Sequence, residues 1–242
     1  MNISNLLGQN ALPLEITHSY HWIQPLLENS HFHRGTQRSQ QPNVPLGGRS
    51  PSRLGEAGLR TVVAILPEQL QAAEHLVRRR YAWRGYHVAL SGELDAGTPG
   101  SEGQPVTLLA EERGKLLGTL TVRPDSPHGL FAEESYASEI EQLRREGRRV
   151  GELVKLAVEE GVDWKGALDA LVQSAYLVTH IVHALTDVLI EVNPRHVRFY
   201  QRVFGFVVAA GERICARAGA PSVLMQLEIT QFGRRLGLPA AA

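Results

Sequence analysis

Apolar positions recur along this chain in two rhythms, and each change of rhythm marks an element. Residues 61–66 (TVVAIL) are a run of β-branched and aliphatic side chains and predict a strand. Residues 67–86 open with a proline, whose fixed φ suits a first helical position, and continue with Leu70, Ala73, Leu76, Val77 and Tyr81 at helical spacing. Residues 91–105 read as a loop, and the two apolar runs of 106–125, divided by Glu111, Glu112, Arg113 and Gly114, read as a β-hairpin. In 133–148 Tyr136, Ile140 and Leu143 share one helical face, and the next segment, 149–160 (RVGELVKLAVEE), is a strand candidate. The strongest helical pattern spans 163–185: Trp164, Leu168, Leu171, Ala175, Val178, Val182 and Leu185 follow at spacings of four and three, behind Asp163 at the N-cap position. A strand at 188–193, a proline-led helix that breaks at Gly205, and two strands within 206–229 around a turn near 217–221 complete the order.

Composition separates the ends from this alternating region. The chain has 242 residues, 43% of them hydrophobic and 21% charged, which is material for one core. Residues 1–57 are rich in Ser, Gln, Pro, Gly and Arg and read as a disordered or loosely docked leader, residues 58–230 as the folded domain, and residues 231–242 as a flexible tail. Basic and acidic residues number 25 each, so bulk charge does not point to nucleic acid. The single cysteine, Cys215, the absence of a signal-peptide pattern, and a longest uncharged stretch short of the ~20 apolar residues of a membrane span together read as a cytoplasmic chain without an integral membrane segment. No metal site is expected: His18, His21, His31 and His33 have no second ligand cluster nearby, and His180 and His183 stand at i and i+3 rather than the zinc-binding i and i+4.

The element order, a mixed α/β succession with a central, mostly antiparallel sheet flanked by helices, resembles the GNAT acyltransferase fold. Residues 193–206 (NPRHVRFYQRVFGF) resemble the segment after the fifth strand of that fold, where a short helix carrying a tyrosine ends in Gly-Phe. Acetyl-CoA-dependent members carry a Gln/Arg-x-x-Gly-x-Gly/Ala signature that cradles pyrophosphate on helix N–H groups, and here the corresponding stretch is VEEGVDWKGAL, with Glu159, Glu160 and Asp163. The succession RRRYAWRGY, LGTLTVRPDSPHGL, EIEQLRREGRRVGELVKLAV, NPRHVRFYQRVFGF and GAPSVLMQLEI resembles the FeeM-type long-chain N-acyl amino acid synthases, relatives of the acyl-homoserine lactone (autoinducer) synthases, over about residues 60–229. The resemblance implies an acyl group delivered by acyl carrier protein, whose phosphopantetheine arm lacks the nucleotide end of coenzyme A, to a small amine or amino acid, with no permanently bound cofactor.

The chemistry needs a base for the attacking amine, donors for the oxyanion and an acid for the departing thiolate. Glu152 falls where the synthases carry a strand glutamate and is the candidate base, acting directly or through a water. Lys155 stands where autoinducer synthases usually carry arginine; on a regular strand it points away from Glu152 unless a bulge intervenes, and the pair reads equally as a surface ion pair. Tyr200, a phenol of ordinary pKa ~10, is the candidate acid, or a packed aromatic. Backbone N–H groups near Leu156, Ala157 and Val158 are the candidate oxyanion donors. Arg80 and Arg123 are the candidate site arginines, and Tyr81, Trp83 and Tyr86 with Leu116, Leu120 and Phe131 the candidate walls of an acyl tunnel, although the same side chains also fit a solvated face and a packed core. Two alternatives stay open: a GNAT acetyltransferase using acetyl-CoA or another acyl-CoA, and a non-catalytic acyl-carrier-binding module.

Overall fold

A computed structural model describes residues 58–83, 85 and 103–237. The expected leader, together with Arg84, Tyr86 and most of the loop before residue 103, lies outside the described residues. Among those described, seven strands form a single sheet: β1 (Arg60–Val63), β2 (Val106–Glu112), β3 (Lys115–Pro124), β4 (Val150–Val158), β5 (Asp187–Val192), β6 (Val207–Cys215) and β7 (Ala220–Glu228). Their order is β1-β2-β3-β4-β5-β7-β6, with only β4 and β5 parallel. Five α-helices flank it: α1 (Pro67–Ala82), α2 (Glu133–Arg145), α3 (Trp164–Leu177), α4 (Val197–Val203) and α5 (Ile229–Arg235). This is the mixed, mostly antiparallel architecture expected from the element order.

Local chemistry explains most boundaries. Arg113 and Gly114 both take positive φ, 52° and 75°, so the β2–β3 connection is a two-residue turn of the type whose twist matches a hairpin. Asp163 caps α3, its carboxylate accepting from Gly166 N–H at 3.2 Å. The apolar period through 178–185 predicts a continuing α-helix, but the backbone widens at Val178–Val182 into a π-turn that ends with His183 N–H donating to Val178 O. Thr179 Oγ1 donates to Tyr176 O there, a local bond that competes with the helical ladder. The flexible tail expected from residue 231 is corrected over 231–235: these residues finish α5, where Ile229 and Phe232 are buried in the core.

The sheet separates two packing faces. On one, α3 sets Ala167, Leu171 and Ala175 against Val106, Leu108, Leu120 and Val122, and Leu168, Val172 and Tyr176 against Val188, Ile190, Met225 and Leu227. The α4 region adds Val203, Phe204 and Phe206 to this face, and α5 adds Phe232. On the other, α1 covers Leu109 and Ala157, while α2 packs Tyr136, Ile140 and Leu143 on Val150, Leu189 and Leu224.

Two irregularities in β4 position the candidate site. Thr121 pairs with Val154 but Thr119 pairs with Ala157, so β4 carries one extra residue in a β-bulge, and Lys155 within it has φ +56°. The parallel ladder to β5 runs only through Val150–Asp187, Gly151–Val188 and Glu152–Leu189, while β4 continues to Val158 and β5 to Val192. The sheet is therefore split between these strands beyond Glu152.

Candidate active site

Glu152 is the last residue of β4 paired to β5, and its side chain turns toward α2. It is 2% exposed. The loop that enters α2 wraps over it: Phe131 N–H donates to Oε1 at 2.7 Å and Ala132 N–H to Oε2 at 3.1 Å. Arg123, its cross-strand neighbour on β3, lies with Nε 3.6 Å from Oε1 and donates from Nε and Nη2 to Gly129 O at 3.3 and 3.2 Å. Burial pushes the Glu152 carboxyl up to about 7, against the downward pull of the two backbone N–H groups and Arg123; the charge of Glu191 adds to the rise. A carboxylate that titrates near neutrality is matched to general-base work.

Glu191, on β5, was not singled out by the sequence reading. It accepts from Ser222 Oγ at 2.6 Å, and Ser222 in turn is tied to the Tyr136 hydroxyl, which donates to Ser222 O at 2.8 Å. Nothing local in the sequence joins residues 136, 191 and 222. The polar set exists because β5 and β7 are neighbours and α2 lies over them.

The structure brings Glu152, Arg123 and Phe131 together. Phe131 contributes its backbone N–H to Glu152, and its ring sits against two guanidiniums, with Arg123 Cζ 4.3 Å and Arg217 Cζ 3.6 Å from the ring centroid. Tyr200 is on the opposite side of the sheet, packed edge-on against Phe199 and Phe206 in the cluster that also contacts Leu153 and Leu156 of β4. The two candidate catalytic groups thus lie on opposite faces of the sheet. Lys155 occupies the bulge anticipated as the way to bring it near Glu152, and it is half-buried.

Of the candidate oxyanion donors, Ala157 lies under α1, and Leu156 packs toward α3. Glu159 N–H donates to Leu117 O at 2.7 Å, so antiparallel alternation turns the N–H of Ala157 toward β3 and that of Val158 away from it, onto the side that β5 has left.

Other predicted residues sit apart from this cluster. Arg80 pairs with Glu160 at 3.0 Å, and the adjacent Arg79 pairs with Glu159, so both acidic residues ahead of α3 are bound to α1. Trp83 is 60% exposed, beneath the Arg80 guanidinium at 5.2 Å. Tyr81 packs with Leu116 on the α1 side, whereas Leu120 faces α3 across the sheet, so Leu116 and Leu120 do not line one tunnel. Among the described residues no group of three or more His, Cys, Asp or Glu could hold a metal ion, and no helix is long and apolar enough to cross a membrane.

A sequence model described as "N-acyl amino acid synthase FeeM" matches residues 72–228. Among solved structures, FeeM, an N-acyl amino acid synthase from uncultured soil microbes, is 21% identical, with a TM-score of 0.65 over 73% of this chain and 94% of that one. An acyl-CoA N-acyltransferase from Pseudomonas aeruginosa is 17% identical (TM-score 0.51, 70% and 99% of the two chains). The AHL synthase LasI is 13% identical (TM-score 0.50, 77% and 98%). No curated protein sequence matches the chain significantly. These structural likenesses show the GNAT fold, and the sequence match runs from within α1 to the last residue of β7, taking in both strands of the split and every residue of the Glu152 cluster. On that ground the chain belongs to the FeeM N-acyl amino acid synthase family and is an N-acyltransferase.

Proposed function

We propose that the chain transfers a long-chain acyl group from the phosphopantetheine thioester of acyl carrier protein to the amine of an amino acid. The observation that carries the choice of donor is the start of α3. There the turn that would cradle the pyrophosphate of coenzyme A holds Asp163, whose carboxylate already accepts from Gly166 N–H, and Glu159 and Glu160 precede it. Arg79 and Arg80 of α1 pair with those two glutamates. A nucleotide end would have to displace the cap and share the turn with three carboxylates. A phosphopantetheine arm makes no such demand.

In this reading the thioester enters the split between β4 and β5. The amine attacks the thioester carbon, a C–N bond forms and the C–S bond breaks. Glu152 takes the amine proton; because it is buried and held by two backbone N–H groups, the proton reaches it through a water. Val158 N–H, turned away from β3, and Leu156 N–H beside it serve the developing oxyanion. Tyr200 gives its hydroxyl proton to the departing thiolate. The N-acyl amino acid and free thiol leave, and the proton returns from Glu152 to Tyr200 through solvent. No resident cofactor takes part in this sequence; acyl-CoA is the alternative co-substrate.

Steady-state assays with one amino acid and three donors test this: long-chain acyl carrier protein, the matching acyl-CoA, and acetyl-CoA. The reading requires the carrier-protein donor to give the highest kcat/KM and acetyl-CoA the lowest. A preference for either coenzyme A ester would replace it with a coenzyme A-dependent N-acyltransferase. Binding without turnover of any donor, seen as a raised Tm, would favour an acyl-carrier-binding module.

A further inference from the structure

We propose that Arg217, on the turn between β6 and β7, receives the carboxylate of the acceptor amino acid, an inference that rests on the amino-acid reading above. Phe131 links the candidate base to Arg217. Its N–H holds Glu152 Oε1 at 2.7 Å, and its ring carries Arg217 on one contact and Arg123 on another, at 3.6 and 4.3 Å from the centroid. The two guanidinium carbons are therefore no more than about 8 Å apart, and one of the guanidiniums reaches the candidate base.

The two arginines are differently engaged. Arg123 is 7% exposed, and it is held from inside the fold by Glu152 and Gly129 O. The Arg217 side chain is 25% exposed, and its Nε donates at 2.9 Å to Oε1 of Glu134, itself 43% exposed. An exposed ion pair of this kind is weak and exchangeable. A guanidinium offers five N–H donors in a planar fork, so an incoming carboxylate can bind it bidentately beside Glu134 or in its place. Stacking on Phe131 fixes the plane of that fork, which lowers the ordering needed on binding. Other arginines on this face are engaged by more partners: Arg144 by Asp125 and Glu133, and Arg213, itself exposed, by both carboxylate oxygens of Glu139 and by Ser135 O, over the Tyr136 ring rather than that of Phe131. Arg217 thus supplies a partly exposed cation joined through a single aromatic ring to the residue that holds the base, and an α-amino acid presents its carboxylate and its amine to two such neighbouring points.

The test compares an amino acid with its decarboxylated amine as acceptors, using the same long-chain acyl donor, for wild type, Arg217→Gln and Arg217→Lys. The ratio of kcat/KM for amino acid over amine is expected to fall about 10- to 100-fold in Arg217→Gln, the loss of a charge-assisted bidentate contact, with KM for the amino acid carrying the change. Arg217→Lys, which keeps the charge but not the fork, should recover part of the ratio. If wild type prefers the amino acid and Arg217→Gln keeps that preference, the role of Arg217 is overturned while the function stands. Equal losses for both acceptors, tracking a lowered Tm, also overturn it, because a purely structural stack affects both. If wild type acylates the bare amine as well as the amino acid, the amino-acid reading itself falls, and this inference with it.

Discussion

A carboxylate as deeply buried as Glu152 is useful as a base only if its neighbours leave it able to change charge, and here they oppose one another. Burial and Glu191 favour the protonated form, while Phe131 N–H, Ala132 N–H and Arg123 favour the ionised one, giving a group that titrates at about 7. Activity should therefore rise with pH through about 7, and this limb should be missing from the residual activity of Glu152→Gln. That variant should lose turnover by roughly 10²-fold or more, read by steady-state kinetics. It should also lose about 1–3 kcal/mol of stability, because the amide presents N–H to a backbone N–H that the carboxylate accepted, so folding must be checked by circular dichroism alongside the rate. Tyr200→Phe keeps the ring against Phe199 and Phe206 and should lose about 10²-fold in kcat with little change in Tm; an unchanged kcat would leave Tyr200 as packing alone. At this scale the sequence pointed to Glu152, Arg123 and Phe131 as separate residues. Their mutual contact, and the additions of Glu191, Arg217 and Ala132 N–H, depend on strand neighbours and loop closure that no local spacing encodes.

Among the elements, boundaries set by local chemistry were legible and those set by the sheet were not. The hairpin turn at Arg113–Gly114, the Asp163 cap and the proline starts of α1 and the helical segment after Asn193 each follow from one or two residues. The π-turn at Val178–Val182 hid in the apolar period because its buried side chains keep nearly the same rhythm while its closing hydrogen bond reaches back five residues instead of four. The last helix was missed because Gly233 and the arginines after it look like a loose end, yet Phe232 is 1% exposed against Tyr176 at 5.6 Å. Phe232→Ala should cost about 3–5 kcal/mol in denaturant unfolding, where a loose tail would cost almost nothing. Where β4 leaves β5, Gly151 admits no side chain: a Cβ would stand 2.5 Å from Leu185 Cδ1 and 2.9 Å from Arg123 O. Gly151→Ala should destabilise by about 1–3 kcal/mol and, by shifting Arg123, reduce turnover beyond what the stability loss explains.

Across the whole molecule, two buried carboxyls give stability opposite dependences on pH. The folded pKa of Glu152, about 7, lies above its ordinary value of 4.5, so its contribution is fully present below about pH 4.5 and is lost as pH rises through 7, a change on the order of 3 kcal/mol. Asp187 runs the other way. Burial pushes its carboxyl up, but hydrogen bonds from Arg148, Thr186 and Gln226 outweigh that and hold it below its ordinary 3.8, so its contribution is present above that value and is lost on acidification. Between pH 5 and 8 wild type should lose stability relative to Glu152→Gln, measured by urea unfolding at each pH. The acyltransfer account rests on the same carboxylate, placed where a seven-stranded sheet splits. Its most direct test is mass spectrometry of lipid extracts from cells producing the wild-type chain or Glu152→Gln. The account predicts long-chain N-acyl amino acids in the first extract, absent or reduced by roughly 10²-fold in the second. Equal amounts in both extracts, or none in either with folded protein present, would contradict it.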